Sequence, residues 1–401
     1  MNHVSRIFLV VVLVGSPVIG LVTPYLVGLL GVALLVISAF TRRLPANYDH
    51  MAARVYLATF VGLGLAFAAT AEAPGDLLYA LNFSMLLYFG PFMRLIPARA
   101  GRPSPLEVSQ LAALGTLAAL VAILPSLLRN DPRLVGLNLG PIVLSNCALA
   151  LSAVALTGLF HSADRLQRFR SFLWFAPVLA ALTALLTGSR GPLIALAPFV
   201  LIVAVASLKA RHVSTARILA AALVTALLAG ALLFLPLRGE ASIAQQLQRL
   251  VSGFALSDPS ATARLSLYQA GFRAFMDAPL LGHGWVDLMS SIRPYLPEEH
   301  LDYARRLKHL HNDILNFAVA GGLVGVLAYF CILFTPLVAA IRSTRDEWYD
   351  ARVFGTTALA TVYFFAGLTD LMFGQEFHTM LFVVLNSTVL TVYRQGPPLS
   401  R

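Results

Sequence analysis

The sequence predicts an all-α polytopic membrane protein, a bundle of about twelve transmembrane helices with one large, mostly helical loop on the side facing away from the cytoplasm. Three observations lead there. Of the 401 residues, 58% are hydrophobic and only 12% charged, and the mean hydropathy of +0.78 is not that of a soluble domain. Apolar runs of about 20 residues, the length needed to cross a bilayer, recur from end to end. Basic residues gather between alternate runs, the bias that orients membrane proteins.

The first apolar run, Ile7 to Val22 behind Arg6, imitates a signal peptide. No small-x-small cleavage site follows it and a second run starts at once, so it is expected to be a retained helix. Spans then fall near 6–22, 25–40, 53–71, 77–93, 106–128, 138–160, 172–187, 191–208, 217–236, 313–340, 352–373 and 377–393. The seventh and eighth are short and hold Pro177 and Pro198, which predicts kinks or partial spans. The chain thus divides into residues 1–236 with nine spans, a helical loop over 237–312, and residues 313–401 with three spans and a short tail. If the N-terminus is cytoplasmic, the inner segments carry Arg6, Arg42, Arg43, Arg54 and the later pairs and triplets ending in Arg394 and Arg401. The short outer loops carry only Arg129, Arg133 and Arg190. That places both termini in the cytoplasm and the long loop outside.

Within the loop, Ile243, Leu247, Leu250, Val251 and Phe254 recur at helical spacing opposite glutamines, which suits either a surface-lying helix or a core-facing one. Ser257, Asp258, Pro259 and Ser260 supply cap chemistry for a second helix whose apolar row is Ala261, Leu265, Tyr268, Phe272 and Phe275. Ala278, Pro279 and the run from Leu281 to Trp285 end it in a turn. A third helix is expected from Pro297, with Glu298 and Glu299 in its first turn and Arg305, Arg306, Lys308 and His309 at its end. Those end charges match the helix dipole, or form a cationic pocket for an anion.

The net charge of +10 does not point to nucleic acid, because the basic residues are scattered between spans and form no basic face with interleaved aromatics. Cys147 and Cys331 lie inside apolar runs and read as packing residues. There is no Walker loop, no HExxH, no spaced Cys/His set and no Asp-x-Asp in the chain, so chemistry here is expected to need no metal, nucleotide or cofactor.

Three residues stand out. His311 opens the tenth span in the run His309, Leu310, His311, Asn312, Asp313; a histidine at a membrane boundary often serves only as a hydrogen-bonding residue. Arg190 sits in the tight connection Thr187, Gly188, Ser189, Arg190, Gly191, Pro192, beside a helix start. Arginine and a helix N-terminus together suit phosphate, whereas alone the arginine would simply snorkel. Arg264, in the second loop helix, is a solvated residue or a second phosphate ligand. Asp370, at the outer end of the eleventh span, is a carboxylate placed to orient a histidine or an arginine. Gly321 and Gly325 read as a helix-packing pair.

Ser189-Arg190-Gly191 in a short outer turn, Arg264 followed by Tyr268 and the Pro279 to Trp285 turn, and His311-Asn312 opening a span that continues Ala320-Gly321-Gly322-Leu323-Val324-Gly325 together resemble the O-antigen ligase and polymerase membrane family. The motif-bearing part covers residues 180–335, with the topology matching over the chain. The resemblance implies a bacterial inner-membrane glycosyltransferase working at the periplasmic face without metal. Its donor would be a glycan on undecaprenyl diphosphate. Its acceptor would be a lipid A-core sugar in a ligase, or another lipid-linked repeat unit in a polymerase. It assigns His311 as general base; a histidine, ordinarily near pKa 6.5, is largely neutral near pH 7, as a base must be. Arg190 and Arg264 would hold the diphosphate. Inversion at the anomeric carbon is implied in the same way. Asp370, Asn312, Arg305, Arg306, His309 and Tyr268 would support the site.

One large outer loop favours the ligase over the polymerase, which often has two. A transporter or flippase would show charges at mid-bilayer and repeated halves; here the conspicuous charges collect at the outer end and no internal repeat is visible.

Overall fold

A computed structural model describes residues 2–96, 103–129, 131, 134–160, 173–209 and 259–394. The expected span over 217–236, the expected helix over 241–254 and the cap residues Ser257 and Asp258 lie outside these. Among the described residues the structure is helical, without a strand. The helices are α1 (Asn2–Val10), α2 (Val22–Phe40), α3 (Met51–Thr70), α4 (Phe89–Leu95), α5 (Pro105–Val121), α6 (Pro141–Leu156), α7 (Phe175–Leu186), α8 (Arg190–Lys209), α9 (Pro259–Asp277), α10 (Glu298–Arg305), α11 (Asp313–Ile341), α12 (Tyr349–Gly367) and α13 (Glu376–Val392).

Among the described residues, five helical stretches are long and apolar enough to cross a membrane: Val22–Phe40, Met51–Thr70, Pro105–Leu128, Pro141–Phe160 and Asp313–Ile341. They coincide with five of the expected spans, and shorter apolar helices at His3–Ile19, Phe175–Leu186, Gly191–Ala206 and Glu376–Val392 stand where four more are expected. Leu29, Leu65, Leu201 and Leu327 are each more than 60% exposed. Apolar side chains left outside a packed bundle are what a lipid-facing surface requires.

The centre of the bundle is α13, in which every residue from Phe377 to Val392 is buried. Four of its polar side chains bond within the helix: Asn386 donates to the Phe382 carbonyl, Ser387 and Thr388 to that of Val384, and Thr391 to that of Ser387.

The expected fourth span is not a single α-helix. Pro74–Tyr88 is a 3₁₀-helix, continued by α4. Its buried residues, Phe83, Met85, Leu86 and Tyr88, gather at its C-terminal end, where it runs into α4.

The tenth span also departs from expectation. It breaks at Gly322 (φ 58, ψ −144), a left-handed backbone open to glycine. Gly325 then abuts the Phe317 backbone, eight positions back, which a straight helix would hold about 12 Å away. That contact, and not packing against another helix, is what requires glycine at 325. The backbone groups freed by the break are satisfied by the turn after α9. His283 and Gly284 N–H donate to the Val319 and Ala320 carbonyls at 2.8 and 2.9 Å. In return Leu323 and Val324 N–H donate to the Pro279 and Leu280 carbonyls at 2.7 and 3.4 Å. Non-helical backbone at membrane depth is tolerated where protein supplies such partners. A Cβ at Gly282 or at Gly322 would collide with the opposing backbone, so the two chains can cross only at paired glycines.

Helix α9 begins and ends where the cap and turn residues predict, and α10 follows Pro297 as expected. The apolar row of α9 does not all face the protein, however. Leu265 and Phe272 are 50% and 56% exposed, while Ala263, Leu267, Ala270 and Ala274 are buried. Small residues let α9 lie close against α11, and the large ones are left outside.

Far from that end, Arg352 at the start of α12 is fully buried. It pairs with Asp346 at 2.8 Å, donates to Ser343 Oγ at 2.9 Å, and reaches the Thr344 and Tyr393 carbonyls. Counted only as an orienting charge in the sequence, it ties the loop before α12 to the last turn of the central helix. Removing it takes away the ion pair with Asp346 and the bonds to Ser343, Thr344 and Tyr393 together, so Arg352→Ala is expected to cost about 2–3 kcal/mol. A fall of several degrees in the thermal midpoint of the detergent-solubilised protein checks this.

Candidate active site

The site forms where four segments meet: the loop before α11, the turn between α12 and α13, the face of α9 carrying Arg264 and Tyr268, and the first turn of α8. Asn312 begins α11 by capping it, its Oδ1 accepting from Leu315 N–H at 3.1 Å, the usual role of asparagine at a helix start. Its Nδ2 donates to the Leu368 carbonyl at 3.4 Å, which draws the α12–α13 turn against the cap. Asp313, fully buried, accepts from Met372 N–H at 2.9 Å and fixes the same turn from below. Tyr268 joins α9 to both, donating to the His311 carbonyl at 3.1 Å and the Leu368 carbonyl at 3.4 Å.

This framework holds His311 in a left-handed backbone conformation (φ 53). For a non-glycine residue that conformation costs on the order of 1 kcal/mol and persists only where neighbours over-determine it. Here Tyr268 takes its carbonyl and His309 Nδ1 accepts its N–H at 3.2 Å. The result aims the imidazole at Asp370, with Nδ1 3.6 Å from Oδ1, and the two side chains are 17% and 11% exposed. The ring of His309 stands edge-on to that of His311, centroids 4.2 Å apart.

Burial pushes the Asp370 carboxyl up, but His311 beside it, the charges of His378 and His309, and the Leu371 N–H outweigh this and hold it below the ordinary carboxylate value. Burial lowers His309 to about 4, helped by His311 and Arg264 and opposed by Asp370. His309 is therefore neutral at pH 7. Since its folded value is lowered, its contribution to stability is complete above about pH 6.5 and is lost as pH falls toward 4. Unfolding free energy should drop by roughly 3 kcal/mol across that window, and the drop should flatten in His309→Gln; denaturation at a series of pH values measures it.

Arg264 Nε is buried and has no hydrogen-bond partner among the described residues. A guanidinium N–H left unpaired in this way suits an incoming acceptor, because leaving a buried donor unmade is costly. Arg190 is the first residue of α8; its side chain lies outside the described residues. The neighbouring backbone is informative: Gly191 is packed so tightly on Thr369 that a Cβ there would strike Thr369 Oγ1. The start of α8 therefore abuts the turn that bears Asp370. Ser189 is buried and accepts from Thr187 at 2.9 Å, and Gly188 (φ 67) makes the reversal.

The structure thus gathers His309, His311, Asn312, Asp370, Arg264 and Tyr268, with the α8 start beside them. Arg305 is exposed and turned to Asp302 at 3.1 Å, and Arg306 is exposed at the end of α10; neither bonds to the histidine cluster among the described residues. Two buried residues beneath the site were not singled out from the sequence. Asp313 reads there as a helix-start acid. His378, fully buried with both ring nitrogens unpartnered among the described residues, carries no local signal at all. One ligand atom from each of His309, His311 and Asp370 lies within 4.8 Å of the others, a set able to hold a metal ion. The linear motifs whose absence suggested no metal do not bear on ligands brought together from two loops.

The described residues thus combine apolar helices of spanning length with a histidine–carboxylate pair and a buried, unpartnered Arg264 Nε. Residues 175–330 match the family model described as O-antigen ligase. That stretch runs from α7 through most of α11, contains Arg190, Arg264 and His311, and bears out the resemblance to the O-antigen ligase and polymerase family. No curated protein matches the chain.

Proposed function

We propose that the chain is an O-antigen ligase-like glycosyltransferase of the bacterial inner membrane. It takes a polysaccharide from undecaprenyl diphosphate at the periplasmic face and places it on a hydroxyl of a lipid A-core sugar, with both termini in the cytoplasm. The observation that carries this reading is the strained His311, aimed at Asp370 at 3.6 Å, with the buried Arg264 Nε, which has no hydrogen-bond partner among the described residues, on the adjoining helix.

In this reading Asp370 orients the imidazole through Nδ1–H, leaving the Nε2 lone pair to accept the acceptor hydroxyl proton. The hydroxyl oxygen attacks the anomeric carbon as the bond to the diphosphate oxygen breaks, and the diphosphate leaves with that electron pair. Attack opposite the leaving group inverts the anomeric centre. Arg264, Arg190 and the α8 N-terminus stabilise the charge that grows on the leaving group. Asp370 stabilises the imidazolium that forms. The base must keep its lone pair free, so the reaction is metal-independent.

Purified protein reconstituted with lipid-linked polysaccharide and lipid A-core tests this. Transfer to lipid A-core that survives EDTA is the expected result. Growth of the chain on its carrier would instead make the protein the polymerase of the same family, and lipid movement without glycan transfer would make it a transporter.

A further inference from the structure

The two histidines and the carboxylate of the site have a chemistry the transfer reaction does not use. His309, His311 and Asp370 each present one ligand atom, all within 4.8 Å of one another, and the His311 Nδ1 to Asp370 Oδ1 separation is 3.6 Å. Ligands about 2.0–2.1 Å from a tetrahedral zinc ion are ~3.3 Å apart. The His311–Asp370 pair is therefore already close to ligand spacing, and the remaining ligand needs a shift of about 1 Å or a little more. His311 Nδ1 is buried and faces Asp370 Oδ1 at 3.6 Å without a formed hydrogen bond among the described residues, so a metal there replaces only that long ion-pair contact. His309 Nδ1 accepts the His311 N–H at 3.2 Å; ligation through that atom exchanges one bond for a stronger one.

We propose that His309, His311 and Asp370 form a binding site for a divalent transition-metal ion of the zinc class, and that the bound ion switches glycan transfer off. Two imidazoles and one carboxylate with a coordination position left open are a recurrent zinc set. The donor types select against magnesium and calcium, which prefer oxygen ligands throughout. So does the local charge. Asp370 favours a cation, while Arg264, close enough to affect His309, opposes one; only ions with high intrinsic affinity for imidazole overcome that. Occupancy locks His311 against Asp370 and uses the single lone pair of the neutral imidazole at Nδ1, so that Nε2 carries the proton and can no longer take one from the acceptor hydroxyl. The inhibitory half of this proposal rests on His311 acting as the base; the metal site does not.

The test separates the two. Full-length protein stripped with EDTA and dialysed is titrated with cobalt(II), read by visible absorption, and then with zinc(II) as competitor, in parallel with transfer assays. One cobalt per chain, displaced by zinc but not by a large excess of magnesium, is expected, with affinity at least tenfold weaker in His309→Gln and largely retained in His309→Cys, whose thiolate is itself a zinc ligand. Zinc should abolish transfer and EDTA restore it. No cobalt signal from protein that transfers normally would overturn the site and leave the ligase reading intact. Cobalt binding by protein that transfers nothing under any condition would support the site and count against the ligase reading. Transfer lost in EDTA and regained with zinc would overturn the inhibitory role.

Discussion

His311→Ala is expected to lower glycan transfer by about 10²–10⁴-fold, the usual contribution of a positioned acid–base group, while the protein still inserts and folds. The ring is only the end of the structure that holds it: Tyr268, His309 and Asn312 fix the backbone on either side through main-chain bonds that the substitution leaves in place. A glycine at the same position should also keep the fold, since φ 53 suits it better than alanine. The informative measurement is the pH profile of transfer. Asp370→Asn should lose rate by a smaller factor and change the acid limb of the profile, because the neutral amide no longer stabilises the imidazolium. An unchanged rate in well-folded His311→Ala would remove the general-base assignment.

Arg264→Ala should cost about 10²–10³-fold in transfer, the range seen when one preorganised donor to a developing anion is removed. Its buried, unpartnered Nε makes a distinction between charge and shape testable. Lysine at 264 restores the charge but not a planar fork of donors, so Arg264→Lys should rescue poorly if the diphosphate is held bidentately. Binding of the lipid-linked donor, measured separately from turnover, should weaken less than the rate falls, since the leaving group gains charge only as the bond breaks.

Much of the fold was legible because membrane burial imposes long, simple patterns. Five of the expected spans coincide with helices of spanning length, and α9 and α10 start where their caps predict. The errors have physical sources. A hydropathy window cannot tell a 3₁₀-helix from an α-helix, and Pro74–Tyr88 is the first of these. It cannot see a helix break either, when the freed backbone groups are satisfied by residues 40 positions earlier. On α9 the apolar row was visible, but which side it faces depends on whether lipid or protein lies outside it; Leu265 and Phe272 face out.

The site was legible in part for a similar reason. His311, Arg264 and Tyr268 lie in short motifs, so their types and order could be read directly. Asp370 was found as a carboxylate out of place at a span's end. His378 and Asp313 were passed over because nothing adjacent in sequence marks a buried polar residue whose neighbours come from another helix. Arg305 and Arg306 drew notice for their charge, and the structure gives that charge to the surface, where Arg305 meets Asp302.

The exchange of four backbone hydrogen bonds across the Gly322 break means that the segment following α9 and the two halves of α11 behave as one splinted body. Arg264 rides on one arm of that splint and His311 on the other. In the proposed reaction a spacing fixed in this way would act as a ruler, set to the short step from acceptor hydroxyl to donor diphosphate whatever the length of the polysaccharide beyond. An enzyme so built would be indifferent to chain length at its catalytic centre, and any measurement of length selectivity should be sought in surfaces that do not move when Gly282 or Gly322 is changed.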